Sequence, residues 1–400
     1  MTSQFNPFDP EVRANPYPWY HQLRAEDPVH PSDFAPDGVW VLMRYADSLF
    51  ALRDQRFSAN RREARINQDF YDPEVDVGPL GRAQTMLTAD PPDHTRLRTL
   101  VSKAFTPGAV EAMRPHIQEI VNDLLDKVQD NGRMDVISDL AYPLPVIVIA
   151  EMLGVPPQDR GRFKKWSNAI AVTLDPIVAP EALERAQQSA QELAEYFRGV
   201  VEERRRNPKH DLISALLAAE EQGDRLSEDD LYATCMLLLI AGNETTTNLI
   251  GNGMLALLRH PDQLQKLRDD PSLIESAVEE LLRYDSPVQA TGRVALEDME
   301  IGGKKIAKGD MLVTHLGAAN RDPERFPDPD RLDITRNDNR HLAFGYGLHF
   351  CLGAPLARIE GQISLSTILR RFPGLRLETE APERRETITL RGLKSLPVVF

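Results

Sequence analysis

The chain has 400 residues, 42% of them hydrophobic and 27% charged, the balance of a water-soluble globular protein. A net charge of −14 and a pI near 5.2 argue against general nucleic-acid binding and against a basic membrane-facing surface. Two cysteines, Cys235 and Cys351, are too few for a disulfide framework or a four-ligand zinc site and suit a reducing compartment.

Residues 1–18 are polar and proline-rich, without the basic start and apolar core of a signal peptide. The longest apolar runs, near 143–155 and 236–241, fall well short of the roughly 20 residues that span a bilayer. A cytoplasmic protein is expected. Periodicity predicts short helices over 17–26 and 46–53, with a strand at 39–43 between them. Residues 57–86 have no period, and so long a loop is expected to cover a site. Asp90-Pro91-Pro92-Asp93 predicts a helix start with Asp90 as cap, followed by His94 and Arg98 on one face.

Further helices are predicted over 107–129, 137–153, 158–174, 180–206 and 211–221, with the break at 175–180 a second candidate cover. Ser227-x-x-Asp230 resembles a capping box, and the helix from there to Arg259 would be about 50 Å long and apolar nearly all round, hence central. Its middle reads Ala241-Gly242-Asn243-Glu244-Thr245-Thr246-Thr247. A carboxylate and three hydroxyls are costly there unless paired or used, and hydroxyl back-bonding is expected to open the helix locally. Ala241, Thr245 and Asn248 are expected on one face, suited to a flat ligand needing a proton donor; a satisfied polar kink accounts for them equally well.

Helices over 262–269 and 272–284 follow, the latter carrying Glu280 and Arg283 at i, i+3. Taken alone that is an ordinary surface pair. Strands are expected only toward the chain ends, at 39–43, 288–296, 299–301, 311–314, 387–390 and 396–400. The fold class is therefore mainly α with small β-sheets, and although the length favours two cores, no linker divides residues 1–400.

Near the C-terminal end stands Phe344-Gly345-Tyr346-Gly347-Leu348-His349-Phe350-Cys351-Leu352-Gly353, where glycines permit a tight turn and present one sulfur at a helix entry. Amide dipoles there favour a thiolate. Three other matches carry little: a glycosylation acceptor at Asn243-Glu244-Thr245, a loose dinucleotide fingerprint at Gly251-x-Gly253-x-x-Ala256 with no strand before it, and a zinc start at His349/Cys351 with no further ligands.

Together these residues resemble a soluble bacterial cytochrome P450. The cysteine loop matches the family's haem-ligand signature at every defined position, Ala241-Gly242-x-Glu244-Thr245 its oxygen-activating motif, Glu280-x-x-Arg283 its buried pair, and Asp90-Pro91-Pro92-Asp93-His94-Thr95-Arg96-Leu97-Arg98 a segment that reaches the haem. The resemblance implies that Cys351 is the thiolate ligand of a b-type haem (iron protoporphyrin IX), with His94, Arg98, Arg293 and His349 on its propionates. Thr245 would hydrogen-bond dioxygen, and Glu244 would help deliver protons. Arg336, rather than Arg325, would join Glu280 and Arg283 as structural support. Substrate contacts would come from Leu87, Ile240, Ala241, Val288, Ala290 and Leu390.

The implied reaction inserts one atom of O2 into a hydrophobic small molecule, by hydroxylation or epoxidation, as in secondary metabolism. Nothing after Cys351 resembles a reductase domain, so a separate ferredoxin with its reductase is expected, and a monomer. A peroxide-driven enzyme or a non-catalytic haem sensor are the alternatives; neither explains an intact Glu244-Thr245 pair.

Overall fold

The computed structural model describes residues 5–32, 37–68, 85–175, 178–221 and 227–400. Most of the expected cover over 57–86, and residues 176 and 177 of the second, lie outside the described residues. In chain order the helices are α1 (Pro10–Ala14), α2 (Tyr17–Glu26), α3 (Tyr45–Arg53), α4 (Arg65–Gln68), α5 (Asp93–Ser102), α6 (Pro107–Ala112), α7 (Arg114–Asp126), α8 (Pro143–Met152), α9 (Arg160–Ala171), α10 (Pro180–Arg206), α11 (Leu212–Glu221), α12 (Glu228–Arg259), α13 (Pro261–Asp269), α14 (Ile274–Tyr284), α15 (Leu316–Ala319) and α16 (Ala354–Arg371). The fold is mainly helical, with small sheets.

Helix α12 starts where its sequence says it should. Ser227 Oγ accepts from the Asp230 N–H at 3.0 Å, and Asp230 accepts in return from the Ser227 N–H at 3.4 Å. The helix then runs through the middle of the largest apolar cluster and packs against α8, α9, α10, α14 and α16. Its glycines explain the loose dinucleotide match in packing terms. A Cβ on Gly251 would stand 2.5 Å from Ile137 Cδ1, and one on Gly253 3.1 Å from Leu281 Cδ1. Both glycines let neighbouring elements approach closely. Asn243, of the apparent glycosylation acceptor, is fully buried and donates to Ser167 Oγ.

The helix is not opened at its polar middle, contrary to expectation. Thr245 Oγ1 donates to the Ala241 carbonyl at 2.8 Å, yet the helix continues unbroken to Arg259. The hydroxyl shares that carbonyl without displacing the helical pairing. Ala241, Thr245 and Asn248 do share a face, within about 60° of one another. Asn248 is nevertheless buried against Gly392, so only the first two border the accessible part of that face.

Two expected helices are divided. Residues 107–129 break at Met113, before Pro115 in the first turn of α7, and residues 137–153 begin as a wider π turn at Ile137–Ala141 before Pro143 opens α8. Asp90 is not the cap of α5, whose N-terminal flank is Pro92 without a side-chain cap. Its carboxylate is turned away to accept from the Ser58 hydroxyl and, at 2.9 Å, from the Ala59 N–H.

The strands are β1 (Val29–Pro31), β2 (Val39–Leu42), β3 (Phe57–Ser58), β4 (Arg133–Asp135), β5 (Ala290–Ala295), β6 (Met299–Ile301), β7 (Lys304–Ile306), β8 (Met311–His315), β9 (Arg376–Leu377) and β10 (Pro397–Val399). One sheet has the order β1-β2-β8-β5-β3, with β2 and β8 parallel and the other pairs antiparallel. Strands are thus not confined to the chain ends, because β4 in mid-chain pairs with β10. Residues 387–390 form no strand beyond a single bridge from Leu390 to Val288.

Candidate active site

The cysteine loop is shaped by Gly345 and Gly347, whose φ values of 69° and 71° lie in the left-handed region. A Cβ on Gly347 would also stand 2.9 Å from the Leu52 carbonyl. The loop closes through the Cys351 N–H donating to the Phe344 carbonyl at 2.9 Å. Cys351 then precedes α16 and is reachable from solvent, although its sulfur has protein on most sides. Burial pushes its thiol up. The N–H groups of Gly353 and Ala354 and the charges of Arg98 and Arg358 pull it down without cancelling that rise. The helix entry therefore favours the thiolate, as expected, but does not secure it alone. A coordinated metal ion deprotonates a thiol outright.

The scattered cations converge beside this loop. His94, on α5, lies with its ring centroid 4.3 Å from that of His349. Arg98, one turn further along α5, donates through Nη2 to the Phe350 carbonyl at 2.7 Å. Arg293 reaches the group from β5, and its charge acts on both histidines. Arg61, unforeseen in the sequence, stands beside Gly292 and repels Arg293.

Every one of these groups is driven toward its neutral form. Burial, then Arg293 and His94, takes His349 down to about 4. Burial, then Arg61, takes Arg293 down to about 10 against the opposing pull of Asp90. His94, Arg98 and Arg61 are lowered by burial as well. Both ring nitrogens of His94, which is 2% exposed, and Nδ1 of His349 are without partners among the described residues. Buried donors left unpaired mark a place where something else completes the bonding, and this cluster asks for anions.

On α12, Ala241 is exposed and Gly242 and Thr245 half-buried, whereas nearly every other residue of the helix is buried. This accessible strip lies on a helix that is otherwise packed from several sides. Glu244 beside it is 1% exposed. Burial pushes its carboxyl up, and an ion pair with Arg385 from the C-terminal tail opposes that. A second buried acid, Glu360 on α16, is pushed up to about 8 by burial, with the Thr246 hydroxyl opposing. Neither Arg385 nor Glu360 carried a signal in the sequence.

Glu280 and Arg283 are no surface pair. Both side chains are 0% exposed, joined by two bonds of 2.8 Å. Arg336 adds a third partner at 3.2 Å, while Arg325 pairs instead with Asp338. Glu280 also accepts from the Asp333 N–H and Asn339 Nδ2, and Arg283 donates to the carbonyls of Asn320, Pro329 and Arg331. The segment leading to the cysteine loop is thereby fastened to α14. Of the expected substrate contacts, Leu87 and Ala241 are exposed, Val288 and Ala290 half-buried, and Ile240 and Leu390 buried.

The sequence profile described as Cytochrome P450 matches residues 38–394. The chain is 48% identical over 371 residues to cytochrome P450 CYP107DY1 of Priestia megaterium, covering 90% of each. It is 44% identical to the vitamin D(3) 25-hydroxylase of Pseudonocardia autotrophica, covering 100% of this chain and 97% of that one. A crystal structure of P450BioI in complex with acyl carrier protein ligated to hexadec-9Z-enoic acid superposes with a TM-score of 0.91 at 44% identity, covering 98% and 99% of the two chains. The chain belongs to the cytochrome P450 family and is a P450 monooxygenase, for which the family implies a haem–thiolate cofactor. The residues present fit that group. An accessible cysteine supplies the sulfur, and an under-neutralised cation cluster beside it suits the two carboxylates of a haem.

Proposed function

We propose that this P450 uses haem b to insert one atom of O2 into a hydrophobic small molecule, with electrons from a separate ferredoxin and its reductase. The observation that carries the reading is the histidine pair, with both ring nitrogens of His94 and Nδ1 of His349 unpartnered among the described residues, lying with Arg293 beside the loop of Cys351. When bound, the haem supplies the oxidising chemistry, and the thiolate of Cys351 supports O–O cleavage. His94, Arg98, Arg293 and His349 would hold the two carboxylates of the haem, with Arg61 adding charge. The accessible strip of Ala241 and Gly242 leaves room for a flat group against α12. Thr245 would turn its hydroxyl from the Ala241 carbonyl to donate a hydrogen bond on that strip, and Glu244 would hold a proton next to it.

Two of the relatives named above are a vitamin D(3) 25-hydroxylase and a P450 held in complex with acyl carrier protein ligated to hexadec-9Z-enoic acid. An elongated apolar substrate of that kind suits a site for which Leu87, Ala241, Val288 and Ala290 are the expected lining. We place the protein in the cytoplasm as a monomer. No described helix is long and apolar enough to cross a membrane.

The carbon monoxide spectrum of the reduced, haem-loaded protein tests the ligand directly. Cys351→Ala is expected to abolish the thiolate signature. Cys235→Ala is expected to leave it intact, because Cys235 is fully buried in α12 and burial pushes its thiol up to about 12. In turnover with a surrogate ferredoxin, Thr245→Ala should lower product formed per NADPH consumed; an unchanged ratio would remove Thr245 from oxygen activation.

A further inference from the structure

The C-terminal tail doubles back as a hairpin over residues 383–394. The Lys394 N–H donates to the Glu383 carbonyl at 2.8 Å and the Arg385 N–H to the Gly392 carbonyl at 3.1 Å, with Arg384 and Leu393 bridged between them. The hairpin is held to the N-terminal segment through Arg13 and Ala14, and to Asp285 and Asn252, and three further holds bear on Glu244. At its base, the Arg385 guanidinium donates to Glu244 Oε2 on α12. Along its returning limb, the Gln289 N–H donates to the Thr389 carbonyl and the Arg391 N–H to the Pro287 carbonyl, each at 2.8 Å. At its tip, the Asp175 carboxylate accepts from the Ile388 N–H at 3.1 Å and the Thr389 N–H at 2.8 Å.

Glu244 needs such a hold. A buried carboxylate keeps its charge only if paired, and Arg385 is the charged group that opposes burial there. The charge of Glu244 in turn reaches Tyr142, at the start of α8, and helps to raise its phenol. Arg385 also donates through Nε to the Leu393 carbonyl at 3.4 Å, so its reach to the acid depends on the hairpin's own closure. Glu244 Oε1 is without a partner among the described residues, as is the Asn248 amide one turn along, which abuts Gly392. One oxygen of the acid is held from the tail side and the other is not. The Arg385 side chain, 24% exposed, connects this buried spot to solvent.

We propose that Arg385 is the positioning residue for Glu244, and that Asp175, by pinning the tip of the hairpin, sets how firmly Arg385 holds it. Asp175 does not touch Glu244. It acts through the backbone of Ile388 and Thr389, which joins the segment after α9 to the strap that restrains the acid. The consequence for turnover rests on the monooxygenase reading, whereas the hold itself does not.

The test compares Arg385→Gln, Arg385→Lys and Asp175→Asn in the haem-loaded protein. The Glu244 carboxyl band is identified in the infrared by difference from Glu244→Gln. Arg385→Gln should raise the titration midpoint of that band by about one to three pH units, and Arg385→Lys should restore most of the shift. Asp175→Asn leaves one neutral acceptor for two amides. It should speed hydrogen exchange at Ile388 and Thr389 about tenfold and move the Glu244 band the same way by a smaller amount. Product per NADPH should fall about tenfold in Arg385→Gln and recover in Arg385→Lys. An unmoved Glu244 band in Arg385→Gln overturns the positioning role. Faster exchange in Asp175→Asn with an unmoved band overturns the coupling. A moved band with unchanged product per NADPH upholds the hold and removes Glu244 from the proposed reaction.

Discussion

Two sets of buried charge are tied to the cysteine loop, one through the segment that leads to it and one through His349 within it, and they are built in opposite ways. Around Glu280 and Arg283 every donor meets an acceptor: two bonds between the pair, Arg336, Asn339 and the Asp333 N–H on the carboxylate, and three carbonyls on the guanidinium. Around His94, Arg293 and His349 cations crowd together and lose basicity, and three of the four histidine nitrogens find no protein partner among the described residues. Both clusters are buried and both are cationic in part. The satisfied one is architecture, and the unsatisfied one is a socket.

The contrast can be broken most forcefully at Glu280. Glu280→Ala strands Arg283 in a fully buried place, and a loss of about 3–5 kcal/mol is expected in chemical denaturation. A loss no larger than that of a surface substitution would mean the cluster supports nothing.

A middle-sized effect is expected at Glu279, which belongs to the same paired side of the comparison. Burial raises its carboxyl, but the two bonds from Arg358 and the contact with His341 outweigh that and bring it down to about 2. Its folded value is depressed, so its stabilisation is present above the unfolded value near 4.5 and is lost as pH falls toward 2. Glu279→Gln should cost about 2 kcal/mol at pH 7, with the two denaturation curves converging at pH 2. A pH-independent gap would assign the loss to packing instead.

The smallest effect on stability, and the one that sharpens the contrast, is expected at the socket. His94→Leu removes a buried polar ring without a protein partner, so the unfolding free energy with haem removed should stay within about 1 kcal/mol of the parent. Haem loss from the loaded protein should nevertheless accelerate about tenfold, followed by transfer to an acceptor apoprotein. A marked destabilisation with unchanged haem loss would place His94 with the architecture.

The sequence disclosed those parts whose signals are local. The capping box of α12 is written in four residues, and the cysteine loop in the spacing of its glycines. The central helix could be placed from apolar periodicity because almost its whole circumference is buried. What stayed hidden depends on distant pairing. Strand β4 is three residues long and exists because β10 lies beside it. Asp90 has the look of a cap, but Ser58 and Ala59 compete for its carboxylate. Arg61 sits in an aperiodic stretch, and Arg385 in a tail whose pattern suggested only a strand; each acquires its role from what the fold brings alongside it.

The close seat of Gly251 against Ile137 has a consequence for how this chain can vary through descent. With 2.5 Å between a would-be Cβ and Ile137 Cδ1, an alanine at 251 has room once that terminal methyl turns aside or is lost. The two positions are therefore coupled: across homologous chains, an alanine at the first should be accompanied by a shorter residue at the second more often than a glycine is. That link should hold although the positions are separated by more than a hundred residues of sequence.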